Sequence, residues 1–160
     1  MKYRQAHRTA RVAEQALDLP QRVTLESLRV MIADRRQQDL VIDELPGLPG
    51  TDISGLLLVL ADKDVILHAP TRSAWHRQQI ILHEFSHMIL CHDLDVTNVD
   101  FPSQLLSGFD AANILLAFHR DSFGNEIELT AELLADQLAT RIRSGSDQTT
   151  EHLHFGEVFG

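Results

Sequence analysis

The stretch Ile80-Ile81-Leu82-His83-Glu84-Phe85-Ser86-His87-Met88-Ile89-Leu90 sets two histidines and a glutamate inside an otherwise apolar run. Residues at i and i+4 lie one above the other on a helix face. His83 and His87 can therefore turn ring nitrogens toward one metal ion, at about 2.0–2.1 Å each for zinc. Glu84, next to the first histidine, points beside that position and can take a proton from a water held there. Composition alone would produce an H-E-x-x-H pattern about 0.03 times in a chain like this one. Burying these three polar groups together costs several kcal/mol unless they find partners, and an ion is such a partner. The plainer alternative is a set of hydrogen-bonded core polar groups.

Working outward, the motif predicts a helix over residues 74–91, capped by Thr71 or Ser73 and apolar on most sides, which places it in the core. On its N-terminal side, Ala6, Ala10, Ala13 and Leu17 recur at helical spacing over residues 4–18, and Pro20 ends that helix. Thr24 is the expected N-cap of a second helix over 25–38. Leu40-Val41-Ile42 reads as a short strand. The apolar runs 55–60 and 65–68, separated around Asp62-Lys63-Asp64, suggest a hairpin. On the C-terminal side, 93–107 reads as a loop and 111–118 as helical. Phe123-Gly124-Asn125 breaks the chain, and a strong helix follows over 126–142. From Ser144 the sequence turns polar, as in a frayed tail. These expectations amount to an α+β fold, mainly helical, with a small sheet before the motif helix. They form one domain over residues 1–143 with a flexible tail over 144–160.

A catalytic zinc requires a third protein ligand and an open position. Glu128, Glu132 and Asp136 stand at i, i+4 and i+8 on the last helix, a stripe of carboxylates among Leu and Ala. Two registers fit. Either Glu132 is the ligand and Asp136 accepts a hydrogen bond from a ligand histidine, or Glu128 is the ligand and Glu132 the orienter. A solvated acidic face is the ordinary alternative. Cys91 lies four residues past His87 but as a single cysteine reads first as a small hydrophobe. His92 is expected at the helix end, near the negative pole of the dipole. His119 and Arg120 precede the acidic helix and are candidates for stabilising an oxyanion. His68 and His76 read as structural or exposed, and Trp75 as a packing residue.

The chain has 160 residues, 44% of them hydrophobic, with a formal charge of −9 and one cysteine. That is enough for one core. The charge argues against a general grip on nucleic acid. A single cysteine excludes an intramolecular disulfide, and no apolar run is long enough to span a membrane. The expectation is a cytoplasmic protein, with no direct nucleic-acid or membrane partner.

The motif, together with Glu132-Leu133-Leu134-Ala135-Asp136-Gln137-Leu138-Ala139, resembles the ImmA/IrrE family of metallopeptidases over residues 20–143. The resemblance implies a zincin-like fold and a zinc-dependent endopeptidase. It implies as substrate a helix-turn-helix transcriptional repressor encoded nearby. It makes His83 and His87 zinc ligands and Glu84 the general base, and it favours Glu132 as third ligand with Asp136 behind it. The chain departs from the family in having Ser86 where Gly is usual, Ile80-Ile81-Leu82 before the motif, a long stretch between His87 and Glu132, and Ile142-Arg143-Ser144 after the last helix. A second hypothesis is a metal-containing binding module that sequesters its partner without cutting it. The oligomeric state is open.

Overall fold

The computed structural model describes residues 2–44, 54–92, 114–119 and 124–159. Their order is α1 (Lys2–Ala16), α2 (Leu25–Arg36), β1 (Asp39–Glu44), β2 (Gly55–Leu60), β3 (Lys63–His68), α3 (Ala74–Ile89), β4 (Ile114–His119) and α4 (Asn125–Phe159). This is an α+β arrangement of helices around a small mixed sheet.

The sheet is organised by its most apolar strand. Gly55-Leu56-Leu57-Leu58-Val59-Leu60 has no polar face to offer water, so β2 takes an inner position and is buried almost throughout. The strand order is β1-β3-β2-β4. β2 and β3 form the expected antiparallel hairpin, with Leu57 opposite Ile66, and β1 lies parallel to β3, with Val41 opposite Val65. β4 pairs antiparallel with β2, with Leu56 opposite His119 and a register shift between Val59 and Leu60.

β4 is a correction, since the sequence suggests a helix over 111–118. Ile114-Leu115-Leu116-Ala117-Phe118 is a short, uniformly apolar run, in which the helical and strand periods cannot be separated. What decides its state is the other edge of β2, which needs a partner for its backbone groups. That edge is nonlocal information.

Each helix end matches its local chemistry. Thr24 caps α2 as expected: its hydroxyl accepts from Ser27 N–H at 3.0 Å, while Ser27 Oγ accepts from Thr24 N–H at 2.9 Å. Of the two candidate caps for α3 the structure uses Ser73, which accepts from His76 N–H at 3.3 Å. α3 packs against β2 and β3, α2 and α4, which is why it is apolar on most sides. Ile81, Phe85, Leu57, Ile66, Leu134 and Leu138 share one core there. α1 lies along α4 with the small residues Ala6 and Ala10 buried.

The backbone of α4 remains helical to Phe159, past Ser144, where the sequence suggests a frayed tail. Gly145 lies just past that point. In the structure it permits a close approach: a Cβ there would stand 3.2 Å from both Arg22 Cα and Gln21 O. No helix among the described residues is long and apolar enough to cross a membrane.

Candidate metal centre

His83 and His87 lie one turn apart in the buried half of α3, with ring centroids 4.8 Å apart and planes at 80°. Their Nε2 atoms face each other at 3.2 Å. α4 crosses α3 at this level and presents Glu128 from its first turn. Glu128 Oε2 stands 3.0 Å from His83 Nε2, and Oε1 stands 3.2 Å from His87 Nε2. The three residues form a group able to hold a metal ion.

The donor set fits a cation by a simple geometric test. Ligand atoms bound at about 2.0–2.1 Å at tetrahedral angles are separated by about 3.3 Å. The two Nε2 atoms, 3.2 Å apart, match one such edge, and Glu128 faces them with both oxygens, Oε2 toward His83 and Oε1 toward His87. Two imidazole lone pairs and a carboxylate facing one another repel unless a positive charge lies among them. Two imidazoles with one carboxylate are also the ligand chemistry that suits zinc.

The proton affinities respond to the same crowding. Burial opposes a charge on Glu128, but the contacts and charges of His83 and His87 prevail and lower its pKa to about 2. Burial also opposes the His83 cation. The contact with Glu128 and the charges of Glu84, Glu128 and Glu132 outweigh it, so the imidazole pKa is raised. Glu84 is the opposite case. Its burial raises the carboxyl pKa, and the nearby histidines only partly offset it.

Glu84 is 4% exposed and lies against β2. A Cβ at position 55 would come within 2.8 Å of Glu84 Oε1 and 2.9 Å of Ile80 Cγ2, so any side chain there would force both groups to shift, and glycine leaves the carboxylate its place. The sequence carries a signal for this that motif reading passes over: Gly55 opens an otherwise unbroken apolar strand, and such a glycine marks a close approach. Gly55, His83 and Glu84 line a pocket of about 290 Å³, together with His76, Glu132 and Asp136.

The structure brings Glu128, the carboxylate of the second register, against both histidines, while the family resemblance favours Glu132. Glu132 stands one turn further along α4 and lines the pocket, as does Asp136, which is exposed. Cys91 does not continue the histidine stripe: α3 ends at Ile89, and Cys91 is exposed with φ 58. His92, expected only as a helix-end residue, has its Nδ1 2.9 Å from His87 Nδ1.

Of the remaining candidates, His119 ends β4 across from Leu56, and Arg120 lies outside the described residues, as does the loop expected over 93–107. His68 is structural: it is buried, its Nε2 accepts from Arg77 Nε at 3.3 Å and its Nδ1 lies 3.0 Å from Ala69 O. His76 is exposed. Trp75, expected to pack, is 64% exposed. No protein-family model, curated protein or solved structure matches this chain.

Proposed function

We propose that the chain is a zinc-dependent endopeptidase with a zincin-like arrangement of its motif helix. The observation that carries this reading is the position of Glu84. A general base buried for purely structural reasons would be tied to a cation or to backbone donors. This carboxyl instead lies beside three converging ligand atoms and borders an open pocket. His83, His87 and Glu128 would hold the ion. When bound, zinc polarises a carbonyl and acidifies water.

The chain's own groups supply the rest. Burial raises the proton affinity of Glu84 toward the working pH, which suits a group that must first take and then give a proton. Gly55 keeps the strand out of the carboxylate's way. The pocket admits a substrate on the side of His83, whose side chain is 17% exposed, whereas the His87 side chain is 1% exposed.

By resemblance, the proposed substrate is a helix-turn-helix repressor encoded nearby. The test mixes the zinc-loaded protein with that repressor and follows intact and fragment masses over time. Fragments from the wild type and none from Glu84→Gln, with equal zinc content in both, are expected. A stable complex without fragments would instead support sequestration, and fragmentation by Glu84→Gln at the wild-type rate would overturn the assigned role of Glu84.

A further inference from the structure

His87 has two ring nitrogens, and the cluster uses one. Its Nε2 faces His83 Nε2 and Glu128 Oε1, each at 3.2 Å. Its Nδ1 faces the other way, to His92 Nδ1 at 2.9 Å, with the two rings at 62°. A neutral imidazole carries one proton, and the partner of one nitrogen decides which tautomer forms. For the Nε2 lone pair to serve in the cluster, the proton must sit on Nδ1 and be donated there. His92 Nδ1 is then the acceptor.

Helical spacing does not bring this pair together. Position i+5 lies about 140° around a helix axis, so a continued α3 would carry residue 92 away from His87. The helix stops instead. Leu90 caps it in right-handed backbone, and Cys91 takes φ 58, with its N–H donating to Met88 O at 3.1 Å. Left-handed backbone follows α1, α2 and α3 alike, at Asp18, Gln37 and Cys91, a common way for a helix to end. At Cys91 this reversal brings His92 back against the metal-facing histidine.

We propose that His92 is a positioning residue for the metal centre: it accepts the Nδ1 proton of His87 and so fixes the tautomer and ring orientation that present Nε2 to the ion. This rests on the metal reading above. The acceptor behind a ligand histidine is commonly a carboxylate, a backbone carbonyl or water. A neutral imidazole does the same work without adding negative charge to a cluster that already holds Glu84 and Glu128.

The test measures zinc affinity of the full chain by competition with a chromophoric chelator. It compares wild type, His92→Phe and His92→Asn, since Asn Oδ1 takes nearly the place of His Nδ1. His92→Phe should weaken zinc binding about 10- to 100-fold, and His92→Asn should stay within about threefold of wild type. Cys91→Gly, which keeps the turn, should also bind as wild type. Wild-type affinity in His92→Phe, or equal losses in the Phe and Asn variants, would overturn the proposal. Should His92→Phe fail to fold, nitrogen-15 NMR of the zinc-loaded wild type decides. A proton on His87 Nδ1 and none on His92 Nδ1 is expected, and a proton on His92 Nδ1 would overturn it. A wild type that takes up no zinc would overturn the metal reading itself. That result is distinct from a zinc-binding wild type whose affinity ignores position 92.

Discussion

Two buried polar clusters in this protein are built on opposite plans. At the β2–β3 hairpin, Asp64 is 1% exposed; Arg36 Nε donates to its Oδ2 at 2.8 Å and Gln38 Nε2 to its Oδ1 at 2.9 Å. That cluster contains its own cation, and it ties the end of α2 to the sheet. At the crossing of α3 and α4, the converging groups are two imidazoles and the carboxylates of Glu128 and Glu84. Each carries an atom that can face a cation in the right protonation state. The first cluster is complete as a piece of structure, whereas three members of the second, His83, His87 and Glu128, could hold a metal ion. Burial of polar groups is common to both, so burial alone does not identify a site. What separates them is that the second gathers two imidazoles and a carboxylate able to hold a metal ion.

The largest expected effects come from breaking each cluster and watching the other. His87→Ala and Glu128→Ala should each lower zinc affinity by at least about a thousandfold, because a three-ligand site reduced to two loses most of its grip. With zinc at a hundred times Kd, the wild type gains about 2.7 kcal/mol of stability, and these variants should gain none. Asp64→Ala should cost about 3–5 kcal/mol by stranding Arg36, while leaving zinc stoichiometry unchanged in the folded fraction. Calorimetry with and without zinc separates the two. Zinc loss in Asp64→Ala, or full zinc binding in His87→Ala, would break the distinction.

Gly55→Ala sharpens it within the second cluster. The added methyl meets Glu84 Oε1 at 2.8 Å and Ile80 Cγ2 at 2.9 Å, so the carboxylate must shift. Overpacking of this kind costs about 1–3 kcal/mol. The atoms met by the added methyl belong to Glu84 and Ile80 and not to His83, His87 or Glu128, so zinc content should stay at wild type while substrate cleavage falls. Cleavage at the wild-type rate would show that the strand does not position Glu84.

The two ends of α3 differ in how far the sequence alone reveals them. The pairing of His83 with His87, the place of Glu84 beside them, a cap at Thr71 or Ser73 and the hairpin all follow from local spacing, because i, i+4 and strand alternation are local rules. Glu128 and Glu132 satisfy the same rule equally well. Only the level at which α4 crosses α3 separates them, and that depends on a long connection with no periodic signal. β4 was hidden for a related reason, since its state depends on the β2 edge and not on its own six residues. The contact of His92 with His87 carries no sequence signal because it requires leaving the helix, through a left-handed residue that is not glycine.

Proton linkage gives the acceptor cluster a signature of its own in the metal-free chain. Glu128, with its pKa lowered from 4.5 to about 2, contributes stability that is present above 4.5 and lost as pH falls toward 2. His83, raised from 6.5, contributes stability that is present below 6.5 and lost as pH rises through its higher folded value. Glu84, raised from 4.5, adds a penalty that grows as pH climbs above 4.5. The metal-free chain should therefore lose stability from this cluster on the alkaline side of pH 6.5. Zinc displaces the His83 proton, so its stabilising effect should grow from pH 5 to pH 8. Thermal melts across that range, with and without zinc, should diverge upward. Parallel curves would mean that zinc binds somewhere other than at His83.

The smallest expected effect is the one that fixes the register. Glu132 raises the proton affinity of His83 by its charge and lines the pocket, but Glu128 is the carboxylate that stands within 3.2 Å of both imidazoles. Removing a charge near a bound cation, without removing a ligand, costs only a screened Coulomb interaction in a pocket open to water. Glu132→Ala should therefore weaken zinc binding less than about threefold at moderate salt, and the loss should shrink as salt is raised. Glu128→Ala should show a large loss that salt does not relieve. Were the magnitudes exchanged, with Glu132→Ala losing zinc outright and Glu128→Ala retaining it, α4 would have to enter the site one turn further along its sequence. The carboxylate at 132 would then be the ligand.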